Sequence, residues 1–285
     1  MVFPVSSLRT SSSESSSLPS VSKARAASVQ AKKPIRGNTP PSSISSQITS
    51  ASSSSSANSG YVSARLIAAR NAASRRPAVP QQSSADKGKL TVVLDLDECL
   101  IHSRLSSDQE SFRQEEDRKA NSQACDEFVF QLDDGEIVRV NKRPGLDKFL
   151  ESIYRDYEVM VYTAGIENYA GPLLDILDPQ NRFFRARLYR DSCVYANGIY
   201  TKDLAMFGRP MNRIVLVDNN AMCFLPQLNN GIPISAFYDD VSDTALTVLQ
   251  SFLERIKNEQ VVRPFLTKSF NLETLLREHR EQILG

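Results

Sequence analysis

The sequence has few cysteines and no long apolar run. Its four cysteines lie far apart and form no C-x-x-C pair, a spacing that argues against structural zinc and fits a reducing compartment. No apolar stretch approaches the roughly 20 residues that a membrane helix needs. No secretory signal, internal repeat or glycine-rich phosphate loop is visible. We therefore expect no membrane span, no disulfide framework and no phosphate loop of the glycine-rich type.

Acidic residues are almost absent from the first 88 residues, which carry 11 basic and only two acidic side chains. The formal charge of this segment is +9, whereas the remainder has 23 basic and 31 acidic residues and a charge of −8. The segment is rich in serine and shows no apolar periodicity, as residues 52–59 (SSSSSANS) illustrate. Because such a chain cannot bury enough apolar surface to offset its ordering entropy, we predict that residues 1–88 are a disordered basic tail.

The composition of the tail leaves two interpretations of cellular location open. Serine and arginine with almost no acid are typical of an organelle transit peptide. Scattered basic residues without a visible cleavage site fit a regulatory tail that is open to phosphorylation. We expect a nuclear or cytoplasmic protein, with the mitochondrion or plastid as the alternative.

Residues 89–285 are long enough for one well-packed domain. Their apolar runs alternate with helical patterns, which predicts an α/β fold: a parallel sheet with right-handed crossovers, flanked by helices. Turn signals at 133–135 (DDG) and 197–198 (NG) predict two hairpins, and hence a small antiparallel β insertion. The polar segment 103–126 is interpreted as an exposed insertion. The predicted strands of the parallel sheet are 90–94, 157–162, 183–189, 214–217 and 232–236, and the predicted helices begin after Pro144, after 165 and at 244.

Two carboxylates directly follow the first of these strands. The apolar run from Leu90 to Leu94 leads into Asp95 and Asp97, and the carboxyl ends of parallel strands open into the crevice where such sheets bind ligands. Two carboxylates this close repel each other unless a cation or a shared proton intervenes. Either Mg²⁺ binds there and one aspartate attacks a phosphoryl group, or the residues are a solvated strand end that caps a turn.

Three further polar residues are expected to reach the same crevice. Thr163 and Asp218 follow two other predicted strands, and Lys202 follows the second hairpin. This set suits phosphoryl transfer through an aspartyl-phosphate, because a carboxylate that attacks a phosphate dianion needs nearby cations.

Magnesium and an acid complete the predicted chemistry. Mg²⁺ prefers few protein oxygens together with water and the substrate phosphate, so Asp95, Asp97 and an oxygen of Asp218 or Asn219 would suit it. Because a serine or threonine alkoxide is a poor leaving group, Asp97 is expected to protonate it and then to activate water.

Five motifs occur along the chain in the order DLDECLIH, VYTAG, RDSCVYANGIYTKDL, VLVDNN and FYDDVSDTAL. In this order they resemble the catalytic domain of the small C-terminal-domain phosphatases. This branch of the haloacid dehalogenase superfamily shares a homology domain with the larger phosphatase of the RNA polymerase II tail. The resemblance extends over residues 89 to about 257. It implies a Mg²⁺-dependent serine/threonine protein phosphatase that acts through an aspartyl-phosphate on the RNA polymerase II C-terminal domain or a similar phosphoprotein.

The resemblance also implies individual roles. Asp95 matches the nucleophile and Asp97 the general acid and base, while Thr163 and Lys202 match a pair that binds the phosphoryl group. The implied Mg²⁺ ligands are Asp95, the backbone carbonyl of Asp97, and Asn219, with Asp218 supporting the site through water. The implied substrate-binding residues are Arg190 and Tyr169.

Two departures from the family pattern concern the site. Cys99 stands where the family has threonine and loses a hydroxyl hydrogen bond, and the insertion at 104–124 is longer than expected beside the substrate groove.

The alternative function is a non-catalytic binding protein on the same fold, like the mitochondrial import receptor that is similar to this family. The filled catalytic motifs favour the enzyme. We expect a monomer with a phosphoprotein substrate and no direct nucleic-acid binding.

Overall fold

The computed structural model describes residues 79–106, 125–196, 198–274 and 276–277. The first 78 residues of the predicted tail and residues 107–124 of the predicted insertion lie outside the described residues. The strands are β1 (Thr91–Leu94), β2 (Ile101–Ser106), β3 (Glu127–Gln131), β4 (Ile137–Lys142), β5 (Glu158–Tyr162), β6 (Arg187–Leu188), β7 (Val194–Ala196), β8 (Ile199–Thr201), β9 (Ile214–Asp218) and β10 (Gly231–Pro233). The α-helices are α1 (Leu146–Ile153), α2 (Glu167–Leu177), α3 (Ala245–Ile256) and α4 (Arg263–Phe270).

A five-stranded parallel sheet forms the centre of the domain, in the order β10-β9-β1-β5-β6. Every residue of β1, β5 and β9 is buried, as expected for strands covered by helices on both faces. Leu94 pairs with Val161 on one side and with Val217 on the other. The three central strands therefore end level with one another, and the residues that follow them share one edge of the sheet.

Two antiparallel units complete the fold, and both predicted hairpins are confirmed. The first pairs β3 with β4, and the second pairs β7 with β8. With the parallel sheet, they confirm the predicted α/β architecture, a parallel sheet with a small antiparallel β insertion. None of the described helices is long and apolar enough to cross a bilayer.

One strand was not predicted. Residues 101–106 form β2, which pairs with β4 in a three-stranded sheet of order β2-β4-β3. The predicted insertion at 104–124 therefore begins too early, because Arg104 lies within the strand, opposite Arg139. The sequence of β2 is mostly polar, and its pairing depends on the more apolar β4, more than 30 residues later.

The predicted strand at 183–189 is also shorter in the structure. Only Arg187–Leu188 pair with β5. The backbone N–H groups of Phe183 and Phe184 instead donate to the Asp178 carboxylate. The Asp178 side chain, and not a neighbouring strand, therefore accepts these two backbone hydrogen bonds.

The domain also includes residues before the predicted boundary at residue 88. Val79 and Asp86 are buried, and the Asp86 carboxylate accepts hydrogen bonds from Lys89 Nζ and Arg185 Nε, each at 2.9 Å. Arg209 donates to the carbonyl oxygen of Pro80 at 2.8 Å. Residues 79–88 are thus part of the folded domain, and the boundary placed at 88/89 is too late.

Candidate active site

The turn after β1 brings two aspartates to the edge of the sheet. The Asp95 N–H donates to Val217 O at 2.9 Å, which extends the parallel pairing by one residue. The chain then turns around the carbonyl oxygen of Leu96, which accepts the N–H groups of three later residues: Cys99, Leu100 and Ile101. Within this turn Glu98 has φ +54°, a left-handed conformation that few residues other than glycine adopt. The tight turn places both Asp95 and Asp97 in the lining of one cavity.

Lys202 joins the ends of β1 and β9. Its ammonium lies 2.5 Å from Asp95 Oδ1 and 2.7 Å from Asp218 Oδ2. All three side chains are buried. The Lys202 N–H donates to Cys223 O at 3.1 Å, which anchors the residue directly after β8. Three residues that are far apart in the chain are thus brought together as the strand ends predict.

The charges in this group are not balanced. Burial, followed by the negative charge of Asp218, raises the pKa of Asp95 to about 8, against the opposing effect of Lys202. Burial opposes the charge on Lys202, but Asp218 and Asp95 outweigh it and raise its pKa well above the ordinary value. Because two carboxylates share one ammonium, their charges balance either when Asp95 is protonated or when a further cation binds.

Thr163 follows β5 at the same edge and is buried. Its Oγ1 accepts a hydrogen bond from the Gly165 N–H at 2.9 Å, which leaves the hydroxyl proton available for another acceptor. A Cβ at Gly165 would lie 3.2 Å from both Thr163 Oγ1 and a ring carbon of Tyr169. Glycine at this position therefore allows the backbone to approach both side chains closely.

Asp97 is held by Tyr169, which lies on α2. The phenol of Tyr169 donates to Asp97 Oδ1 at 2.5 Å. Burial, followed by the charge of Asp97, raises the pKa of Tyr169 well above its ordinary range, so the phenol remains a donor. Burial also raises the pKa of Asp97, although the hydrogen bond from Tyr169 opposes this shift.

All the predicted site residues line one cavity of about 500 Å³. Arg190 lies at its exposed rim, where its Nε donates to Ala164 O at 2.5 Å. A larger cavity of about 640 Å³ lies between α1 and the segment after α2 and contains none of the site residues. The site residues that line the smaller cavity are Asp95, Asp97, Thr163, Tyr169, Arg190, Lys202, Asp218 and Asn219.

The donor atoms suit a hard cation such as Mg²⁺. Asp95 and Asp97 each have a carboxylate oxygen that accepts no hydrogen bond from the described residues, and Asn219, whose side chain carries an amide oxygen, also lines the cavity. Within the described ranges, no three histidine, cysteine, aspartate or glutamate side chains form a metal-binding group. Mg²⁺ needs fewer protein ligands than that, because it keeps several waters and binds substrate phosphate.

The sequence alone did not reveal Arg143, a buried residue that supports the turn carrying Asp95 and Asp97. Arg143 is fully buried and donates to Cys99 O at 2.8 Å, within the turn that carries the aspartates. It also forms an ion pair with Asp243 at 2.7 Å, while Phe237 N–H donates to Glu98 O. No local pattern signals this role, because the partners of Arg143 lie 44 and 100 residues away.

The comparisons with known proteins agree with the predicted resemblance. Residues 90–263 match the model of the NLI interacting factor-like phosphatases. The chain belongs to this family. The resemblance inferred from the five motifs is thereby confirmed.

Among curated members, the CTD small phosphatase-like protein of Homo sapiens is 37% identical over 196 residues, which are 68% of this chain and 65% of the relative. The CTD small phosphatase-like protein 2 of Dictyostelium discoideum is 36% identical over 198 residues, which are 69% of this chain and 32% of the relative. The chain thus spans from about a third to just under two thirds of the length of these relatives. The solved structure of Fcp1, an essential RNA polymerase II CTD phosphatase, aligns with a TM-score of 0.41 and 24% identity over 60% of this chain and 51% of that chain.

Proposed function

We propose that this protein is a Mg²⁺-dependent phosphatase that removes phosphate from serine or threonine in proteins through an aspartyl-phosphate on Asp95. The main support is the Lys202 ammonium, which is buried between Asp95 and Asp218 at the edge of the sheet. A buried ammonium that is fixed between two strand ends is placed to donate to the oxygens of an anionic phosphoryl group.

In the first step, a carboxylate oxygen of Asp95 attacks phosphorus. A bond forms between this oxygen and phosphorus, and the bond from phosphorus to the serine or threonine oxygen breaks. Lys202 and the Thr163 hydroxyl then donate to phosphoryl oxygens, where they stabilise the charge of the transferring group. Because these donors are fixed before the substrate arrives, they need little reorganisation during the reaction.

Asp97 transfers protons in both steps. As an acid it protonates the departing alkoxide, and its raised pKa favours the protonated form that this requires. The resulting carboxylate then takes a proton from the water that hydrolyses the aspartyl-phosphate. Tyr169 holds the Asp97 side chain in position for both transfers.

The proposed Mg²⁺ ligands are a carboxylate oxygen of Asp95, the backbone carbonyl of Asp97, and Asn219, with Asp218 supporting the site. A Mg²⁺ ion held by these residues would supply positive charge next to the phosphate. This assignment agrees with the excess of carboxylates over cations around Lys202.

The names of the relatives suggest the substrate class. Because they are CTD small phosphatases, we propose a phosphorylated tail such as the RNA polymerase II C-terminal domain, or a similar phosphoprotein, as the substrate. A nuclear or cytoplasmic location and a monomeric state belong to the same proposal. No observation in the described part of the chain favours the non-catalytic alternative.

An assay with p-nitrophenyl phosphate tests the proposal. We expect turnover by the wild type that depends on added Mg²⁺ and that Asp95→Asn abolishes. Asp133→Asn is the matched control, because this aspartate is exposed in the turn between β3 and β4, and it should keep full activity. An inactive wild type, or an active Asp95→Asn protein, would refute the proposed phosphatase activity through Asp95.

A further inference from the structure

Lys202 is held in place differently from the other residues of the phosphate site. Asp95, Thr163 and Asp218 lie at the ends of β1, β5 and β9, which the hydrogen bonds of the parallel sheet keep in register. Lys202 instead follows β8, and the β7–β8 hairpin forms a separate two-stranded sheet. The position of its ammonium between two strand ends therefore depends on contacts outside the parallel sheet.

A 3₁₀-helical segment, Ala221–Asn230, supplies several of these contacts. Within this segment, Cys223 O accepts the Lys202 N–H at 3.1 Å, and Cys223 Sγ donates to Tyr200 O at 3.9 Å. Four residues after Cys223, the helical path is interrupted at Gln227, which has φ −141° and ψ 70°. The contacts of Cys223 attach the segment to Lys202 itself and to the chain just before it.

The side chain of Gln227 binds the two residues directly after Lys202. Its Nε2 donates to Asp203 Oδ1 at 2.8 Å, and its Oε1 accepts the Leu204 N–H at 3.0 Å. A carboxylate can only accept and an N–H can only donate, so these partners fix which end of the amide faces each of them. Two hydrogen bonds from one amide thus hold the chain next to Lys202.

Asp203 makes the donor of Gln227 more important than an ordinary hydrogen-bond donor. The Asp203 carboxylate is buried, and its Oδ1 also accepts the Ala205 N–H at 2.9 Å. Its Oδ2 has no hydrogen-bond partner among the described residues. Because a buried carboxylate is costly without donors, loss of the Gln227 donor should drive Asp203 toward water, and the adjacent backbone of Lys202 should move with it.

We propose that Gln227 is a positioning residue that holds Lys202 at the phosphoryl group. This inference rests on the proposed function, in which Lys202 donates to phosphoryl oxygens. Gln227 does not line the catalytic cavity, so it acts through Asp203 and the adjoining backbone and not on the substrate. The proposed Mg²⁺ ligands follow β1 and β9, so their positions should not depend on Gln227.

The test replaces Gln227 by methionine, which has a similar length and forms neither hydrogen bond. With Mg²⁺ present, we expect Gln227→Met to raise the Kd of inorganic phosphate, measured by calorimetry, about tenfold, as for the loss of a hydrogen bond to a charged group. The kcat on p-nitrophenyl phosphate should fall by a similar factor. The Mg²⁺ concentration that gives half-maximal activity should stay unchanged, whereas a general loosening of the site would raise it too.

A second variant separates the donor from the shape of the side chain. Gln227→Glu keeps an oxygen for the Leu204 N–H but places a second carboxylate beside Asp203, where like charges repel. It should raise the phosphate Kd at least as much as Gln227→Met, and it decides the same question if Gln227→Met does not fold.

Gln131→Met is the matched control. Gln131 Nε2 donates to Gly135 O at 3.0 Å in the exposed turn after β3, and Gln131 does not line the catalytic cavity. The same substitution therefore removes a side-chain hydrogen bond without a contact to the segment of Lys202. The phosphate Kd, kcat and Mg²⁺ dependence of this variant should equal those of the wild type.

The proposal is overturned if the variants of Gln227 bind phosphate as tightly as the wild type, or if the half-saturating Mg²⁺ concentration rises by the same factor as the phosphate Kd. A wild type that binds phosphate but hydrolyses no substrate refutes the proposed function alone, because the comparison of Kd values still decides the role of Gln227. A wild type that binds no phosphate overturns both.

Discussion

Tyr169 on α2 holds Asp97 on the turn after β1 through a 2.5 Å hydrogen bond that joins positions 72 residues apart. This contact fixes the carboxylate that we assign as acid and base. Tyr169→Phe keeps the ring and removes only the donor. Because hydrogen bonds to charged groups contribute about 1.5–3 kcal/mol, we expect kcat on phosphoserine peptides to fall at least about tenfold. An unchanged kcat in steady-state assays would show that the phenol does not position the acid.

Asp97→Asn tests the acid itself. The variant cannot protonate a leaving group, so it should lose more rate on phosphoserine peptides, whose alkoxide is poor at leaving, than on p-nitrophenyl phosphate. We expect the two losses to differ by about 10²-fold, within the usual range for general acid catalysis. The measurement is kcat/KM for both substrates with the same enzyme preparations. Equal losses would assign Asp97 a role other than proton donation.

Truncation of the chain tests the domain boundary. A protein that begins at residue 79 should melt close to the temperature of the full chain. One that begins at residue 89 loses the contacts of Pro80 and Asp86 with Arg209 and Arg185. The loss of these hydrogen bonds should cost about 2 kcal/mol, or roughly 4–8 °C in Tm for a domain of this size. Equal melting temperatures for the two truncated proteins would contradict the assignment of residues 79–88 to the folded domain.

Asp86 should also contribute to the pH dependence of stability. Burial raises its pKa, but hydrogen bonds from Lys89, Ser83 and Arg185 outweigh burial, so the net shift is below the ordinary value of 3.8. The folded state therefore binds this proton less readily than the unfolded state. The contribution of Asp86 is present above the ordinary value and is lost as the pH falls through the lowered pKa.

The matching experiment measures Tm for wild type and Asp86→Asn between about pH 7 and pH 3. The variant should melt lower at neutral pH, and the gap should narrow as the solution becomes acidic. Asp133→Asn, at an exposed turn position, serves as the control and should follow the wild type throughout. A gap that stays constant or widens in acid would contradict the assignment of a lowered pKa.

The central part of the site was predictable from the sequence for a local reason. Buried parallel strands appear as apolar runs, so the polar residues that end them, Asp95, Thr163 and Asp218, are expected at one edge of the sheet. Lys202 was placed by the N-G turn just before it. The family motifs then supplied roles that spacing alone did not distinguish from ordinary turns and caps.

Other features were not predictable, because they depend on contacts between distant parts of the chain. Strand β2 has too few apolar residues to be recognised without β4, its partner. Arg143 is paired with Asp243, which lies 100 residues later in the chain, so its contact with the turn that carries Asp95 and Asp97 has no local signal. Val79 is likewise buried by a domain whose strands all lie later in the chain, so no pattern around Val79 itself signals its burial.

Phosphate transfer to Asp95 is the central claim, and acid quenching during turnover tests it most directly. Enzyme mixed with a ³²P-labelled phosphoserine peptide in the presence of Mg²⁺ should carry label that hydroxylamine releases, as expected for an acyl phosphate. Mass spectrometry should place the phosphate on the peptide that contains Asp95. An enzyme that hydrolyses the substrate without acquiring this label, or that carries it on another residue, would contradict the account.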